Sequence, residues 1–103
     1  MKKIYIAGPM TGLPEHNFPA FFNAEMQLRL RGFIPVNPAL NPPGLCQADY
    51  MIIDLAMLSI CEGIMMLDGW EDSIGARAEN AMAISLRLPV FNITDLLNQY
   101  PLI

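Results

Sequence analysis

The sequence predicts an α/β protein built on a parallel sheet, with helices layered on both faces. Three observations carry that prediction. Short β-type runs alternate with helix-length segments along the chain. One run, Gly63 to Leu67, is apolar almost without interruption, as strands buried on both faces are. Two of the runs end in glycine-bearing loops, Gly8 to Gly12 and Gly69 to Ser73, where a strand would hand over to a helix. At 103 residues and 53% hydrophobic content, the chain suits one domain over residues 1–103 with one continuous core.

Lys3-Ile4-Tyr5-Ile6-Ala7 reads as a buried strand stopped by Gly8-Pro9-Met10-Thr11-Gly12. From Phe18 to Arg31, Phe18, Phe22, Met26 and Leu30 recur every fourth residue beside Phe21 and Leu28, the pattern of an amphipathic helix, with Asn17 as N-cap and Gly32 as its end. Phe33 to Val36 forms a second strand, placed at a sheet edge because Pro35 lacks an amide donor. Asn37 to Gly44, with Pro38, Pro42 and Pro43, reads as an irregular loop of the kind that overhangs a site, a candidate lid.

A helix over Asp49 to Cys61 carries charge only at Asp49 and Asp54 and is apolar on every side, so it is expected to be buried all round. One small sheet cannot cover that much surface, which predicts a second subunit against its outer face and hence a homo-oligomer. Gly63 to Leu67 is the third strand. A helix from about Gly75 to Leu86, a strand Pro89 to Ile93 and a last short helix Asp95 to Tyr100 complete the alternation, giving four to five strands.

Composition narrows the function classes. Six basic residues against ten acidic ones give a charge of -4, and Lys and Arg nowhere gather into the stripe that a long nucleic acid requires. A single nucleotide remains compatible, since helix-terminal amides and one or two side chains can hold one phosphate. Cys46 and Cys61, set among apolar residues without metal-ligand spacing, read as reduced structural thiols, and His16 cannot complete a zinc shell with them. Neither a metal nor a cofactor is expected. No segment is long and apolar enough for a signal core or a membrane helix, which makes the cytoplasm the expected compartment.

Two carboxylates stand out by their surroundings. On a helical wheel Glu79 falls with Met82, Ala83 and Leu86, while Arg77, Asn80 and Arg87 occupy another arc. The competing reading is a surface glutamate favoured by the helix dipole. Asp54 has only uncharged helical neighbours, Tyr50, Met51, Met57, Leu58 and Cys61, and reads either as a functional acid or as a capping or interface residue. Buried ionised acids are costly unless paired or used, so two of them on separate helices point to a site.

Ser73-Ile74-Gly75-Ala76 opens the third helix with accessible amides, suited to an oxyanion or phosphate, or simply with Ser73 as cap. Gly8 to Gly12 fits neither the dinucleotide fingerprint nor the P-loop. Trp70 either stacks on a base or covers the core, Tyr5 points into the core or toward a pocket, and Arg77 either reaches a phosphate or is solvated. Ligands in such sheets bind beyond the carboxyl ends of the strands, so the two glycine loops are expected to face one pocket.

These residues resemble the nucleoside 2-deoxyribosyltransferase-like superfamily, in particular its short, phage-associated DUF4406-type branch. The likeness covers nearly the whole chain. It rests on Ile4-Tyr5-Ile6-Ala7-Gly8-Pro9-Met10-Thr11-Gly12, on Asp54 ahead of Leu55 and the Cys61-Glu62-Gly63 junction, and most specifically on Gly69-Trp70-Glu71-Asp72-Ser73-Ile74-Gly75-Ala76-Arg77-Ala78-Glu79.

The resemblance implies Glu79 as a nucleophile toward an anomeric carbon, Tyr5 as the residue that orients it, and Asp54 as the group that binds or protonates the base. The substrate-binding set would be Gly8, Pro9, Met10, Gly69, Trp70, Asp72, Ser73, Gly75 and Arg77. The implied ligand is a nucleoside or nucleotide, cleaved or transferred at its N-glycosidic bond by double displacement.

True deoxyribosyltransferases carry an aspartate six residues before the nucleophile, where this chain has Ser73. Serine there resembles the related nucleoside 5′-monophosphate N-hydrolases, although their first-loop arginine is replaced by the Pro9-Met10-Thr11 region. Arg77 would have to substitute for it. Asn92 and Thr94 are candidates for the polar group that a neighbouring subunit supplies in the family. A catalytically inactive nucleotide-binding or sensing module is the remaining alternative. The fold expected from residues and resemblance together is a three-layer, flavodoxin-like or Rossmann-like parallel sheet.

Overall fold

A computed structural model describes residues 2–102. It carries the expected alternation as β1 (Lys3–Ala7), α1 (Phe18–Leu30), β2 (Ile34–Val36), α2 (Gln47–Ser59), β3 (Gly63–Met66), α3 (Ile74–Ser85), β4 (Val90–Asn92) and α4 (Ile93–Gln99). The four strands form one parallel sheet in the order β2-β1-β3-β4. That order belongs to the flavodoxin-like class, with its switch point between β1 and β3. Pro35 lies on an edge strand, opposite Ile4, so its missing amide leaves no gap inside the sheet.

Side chains on a strand alternate between faces, and here the alternation divides the interior into two cores. Ile4, Ile6, Met65 and Leu67 point to one side, where Phe21, Ala24 and Leu28 of α1 and Leu96 of α4 cover them. Tyr5, Ala7, Ile64 and Met66 point to the other, beneath Leu58 of α2 and Ala76 and Ala83 of α3. Past Lys3, the two central strands carry no charged residue because both of their faces are covered. The result is three layers.

Two helices differ from the sequence expectation. In α1 the inward residues are Phe21, Ala24 and Leu28, while Phe22, Met26 and Leu30 are exposed. The four-residue stripe runs along the outer flank because the 3-4-7 spacing of Phe21, Ala24 and Leu28 also satisfies helical period, and alanine lets the helix approach the sheet closely. Asn17 stands at the N-cap position, yet its side chain caps nothing and its amide donates to the Pro9 carbonyl at 3.0 Å.

In α2 only Leu58 is fully buried, and Ile52 is 70% exposed. A helix apolar all round is thus half-open in the single chain, since α3 and the sheet reach only one side of it. Cys61 is buried as expected, but Cys46 is exposed; both thiols are free.

The connection from β1 to α1 holds three consecutive non-glycine residues in the left-handed region, Glu15, His16 and Asn17, with φ of 53°, 52° and 60°. Such a run is strained for L-residues. Among the described residues, no helix is long and apolar enough to cross a membrane.

Candidate functional site

The inward face of α3 consists of Ala76, Glu79 and Ala83, spaced three and four apart. The two alanines bring the helix close to the sheet, and Glu79 is carried into the core between them, 5% exposed. Directly beneath it is Tyr5, fully buried on β1, whose hydroxyl donates to Oε2 of Glu79. Tyr5 therefore points both into the core and at the acid. Glu79 and Asn37 are the buried polar residues among those described, and Glu79 is the ionisable one.

Burial pushes the Glu79 carboxyl up to about 8, partly opposed by the Tyr5 hydrogen bond and assisted by the negative charge of Asp54. Burial likewise pushes Asp54 up to about 6, with the Asn41 hydrogen bond pulling the other way. The Tyr5 phenol is driven far above its ordinary range, first by burial and then by the charges of Glu79 and Asp54, so it is a permanent donor. These couplings bring Tyr5 of β1, Glu79 of α3 and Asp54 of α2 into one electrostatic cluster. Among the described residues, no cation contributes to the balance at either acid.

Asp54 is half-buried and accepts a hydrogen bond at Oδ1 from Nδ2 of Asn41, at 2.9 Å. Asn41 was not among the residues that the sequence singled out. Between Leu40 and two prolines it has the composition of any turn asparagine, and only the fold shows that this loop returns over α2. A second tie fixes the same loop, for the Tyr50 hydroxyl donates to the Pro42 carbonyl at 2.7 Å and accepts from the Leu45 amide at 3.2 Å.

The two glycine loops touch each other, but they do not share a pocket as expected, since no residue of Gly8 to Gly12 lines either surface cleft. A Cβ on Gly8 would lie 2.8 Å from Cβ of Leu67, so the loop after β1 presses against the end of β3. Gly69, at φ +84°, turns the chain beside Pro9. Trp70 is partly buried against the core that contains Tyr5, whereas Met10 packs against the opposite core, under α1 and α4. Met10 is thus separated from the acids by the sheet.

Ser73 is the N-cap of α3, its Oγ accepting from the Ala76 amide at 3.1 Å, which realises its capping role. A Cβ on Gly75 would touch Met51 of α2, so Gly75 lies where the two helices pack. Asp72 and Arg77 are exposed.

Two shallow clefts lie on the surface. One, of about 320 Å³, lies beyond β3 and β4 and is lined by residues including Gly69, Trp70, Glu71, Asn92 and Thr94. The other, of about 250 Å³, lies beside α1 and is lined by Asn17, Ala20, Asn23, Asp68 and others. Neither reaches Tyr5, Asp54 or Glu79. We place the site by the paired acids rather than by the clefts, because shallow clefts arise between any loops, whereas a buried carboxylate without a cation demands a reason.

Comparison with solved structures gives a match to a "2-desoxiribosyltransferase from Leishmania mexicana", with a TM-score of 0.72 and 21% sequence identity over 89% of this chain. The match spans 63% of that protein's length, and at this identity it speaks for the fold. No curated protein matches the sequence. The family model described as "Domain of unknown function (DUF4406)" matches residues 2–92, and the chain therefore belongs to the DUF4406 family.

Proposed function

We propose that this protein cleaves or transfers at the N-glycosidic bond of a nucleoside or nucleoside monophosphate, with Glu79 as nucleophile, Tyr5 orienting it and Asp54 as proton donor to the base. The observation that carries the reading is the buried Tyr5 to Glu79 hydrogen bond with a second acid, Asp54, within electrostatic reach. A lone buried carboxylate is a structural burden. One held by a hydroxyl that never ionises is aimed.

In the proposed reaction an oxygen of the Glu79 carboxylate forms a bond to the anomeric carbon as the carbon-nitrogen bond breaks. The bonding pair leaves with the base, which takes the proton of Asp54. The resulting glycosyl ester is attacked at the same carbon by a second base or by water, whose proton passes to the Asp54 carboxylate as the ester bond breaks, which regenerates both acids. Transfer to a base gives a deoxyribosyltransferase, the activity named for the structural neighbour, and transfer to water gives a hydrolase. The Ser73 hydroxyl, engaged as acceptor by Ala76, keeps its proton to donate to a 5′-phosphate, which is the feature that favours the hydrolase branch.

The test is base release from nucleosides and nucleoside monophosphates, with and without a free acceptor base. Glu79→Ala is expected to abolish release. An acceptor base that accelerates cleavage marks a transferase, and one that does not marks a hydrolase. The slight exposure of Glu79 and the placement of both clefts away from it favour a second reading, a binding module without turnover. Saturable nucleotide binding with no base release would establish that reading and remove the enzymatic one. The exposed apolar flank of α2, with Ile52 and Ile60, is the proposed contact of a homo-oligomer in the cytoplasm.

A further inference from the structure

The Asn41 side chain is the only polar group of the Pro38 to Gly44 stretch that hydrogen-bonds an acid of the cluster. Its setting is built. Asn37 caps the 3₁₀ turn Pro38–Leu40 by accepting from the Ala39 amide at 2.9 Å, and the Asn41 amide closes that turn on the Pro38 carbonyl at 3.1 Å. On the far side, Tyr50 clasps Pro42 and Leu45. Asn41 therefore reaches Asp54 from a loop fastened at both ends rather than from a free surface segment.

We propose that Asn41 is a positioning residue for Asp54, its amide occupying Oδ1 so that the proton of the neutral acid resides on Oδ2, the oxygen left to face a ligand. The inference rests on the glycosidic reading for its consequence but not for its chemistry. An amide N–H can only donate, and of the two oxygens of a carboxylic acid the carbonyl oxygen is the stronger acceptor, the hydroxyl oxygen the weaker. With Oδ1 held, the hydroxyl is Oδ2, and the proton that passes to the departing base leaves from that oxygen. Asp54 becomes a carboxylate whose Oδ1 keeps the Asn41 bond, which also stabilises the product state.

The titratable groups facing Asp54 are Tyr5 from β1 and Glu79 from α3, both of which feel its charge. The Asn41 amide is the group that stabilises the ionised form. Removing it should therefore make Asp54 hold its proton to higher pH.

The experiment is a carboxyl-carbon NMR titration of Asp54 in the wild-type protein, Asn41→Leu and the milder Asn41→Ser, with Asn41→Gln as the variant that keeps the amide. The expected result is a midpoint raised by about one pH unit in the Leu variant and largely restored in the Gln variant. An unchanged midpoint in both the Leu and Ser variants overturns the proposal. So does a midpoint that falls. Base release is measured on the same samples: a wild-type protein that titrates as expected but releases no base leaves Asn41's role standing and removes the glycosidic reading alone. In an active wild type, Asn41→Leu should move the acidic limb of the pH profile of base release upward in step with that midpoint, with little change in KM.

Discussion

Replacing Glu79 by Gln turns a buried acid into a neutral isostere, and the consequence for stability follows from where the acid titrates. Its carboxyl is moved from an ordinary 4.5 to about 8 by burial. The folded state therefore keeps a proton that the unfolded chain has already released. Between these two values the native protein binds more protons than the unfolded one, so stability is full below pH 4.5 and falls as pH rises toward 8. At about 1.4 kcal/mol per pH unit the whole swing is ~5 kcal/mol, of the same order as the total stability of a small domain.

Asp54 changes stability in the same direction, but its contribution ends near pH 6 and is reduced by its partial exposure. The interval from pH 6.5 to 8 thus isolates Glu79, and there the wild type should lose ~2 kcal/mol. Glutamine accepts the Tyr5 hydroxyl but leaves its own amide without a designed partner, a penalty of ~1–3 kcal/mol that is constant with pH. The diagnostic is therefore the slope. Equilibrium urea unfolding, followed by far-ultraviolet circular dichroism across pH 5 to 8.5, should show a falling curve for the wild type and a flat one above pH 6.5 for Glu79→Gln. Equal slopes, or a wild-type curve that rises through this interval, would refute the buried-acid reasoning.

Base release by the wild type should follow a bell with limbs near pH 6 and 8, because the reaction needs one proton on the two acids together. If the proton must sit on Asp54 while Glu79 is ionised, only ~1% of molecules hold that arrangement near pH 7, and Asp54→Asn should replace the bell by a weaker activity that climbs through pH 8. Tyr5→Phe removes the hydrogen bond that lowers the Glu79 midpoint and should raise that midpoint further, measurable as a shifted carboxyl resonance. Phe21→Ala should cost ~3–5 kcal/mol in urea unfolding and Phe22→Ala less than ~1, which tests the inward face of α1 directly. Gly8→Ala forces a carbon into a 2.8 Å approach to Leu67 and should destabilise by ~1–3 kcal/mol, seen as a lower melting temperature.

Much of the fold was legible because its signals are local. Continuous apolarity in Gly63 to Met66 marks a strand covered twice, proline at position 35 marks an edge, and Gly32 marks a helix end; all three follow from backbone chemistry at the residue itself. The acid at position 79 was visible because the wheel set it with Met82, Ala83 and Leu86, away from Arg77, Asn80 and Arg87, although of those three apolar neighbours Ala83 is fully buried and Leu86 is exposed. The orientation of α1 was not visible. Its chain offers two apolar arcs, one large-residue stripe and one mixed with alanine, and only the shape of the sheet surface decides between them.

Asn41 lay outside reach for a similar reason. Its role depends on a loop returning across thirteen residues to Asp54, a contact with no periodicity to announce it. The opposite placement of Met10 and Trp70 was equally hidden, because residues in loops obey no alternation rule that assigns them to a face.

Tyr5 sits at the centre of β1, in register with Val36 on one side and Ile64 on the other, while its hydroxyl holds Glu79. The amide of a residue so placed exchanges with solvent only when the central strand itself is released, so its protection should equal that of the most slowly exchanging amides in the molecule. The strained Glu15 to Asn17 turn would open many times for each such event. The Tyr5 half of the pair then stays in place through every opening that leaves the central strand paired, and only movement of α3 breaks its bond to Glu79.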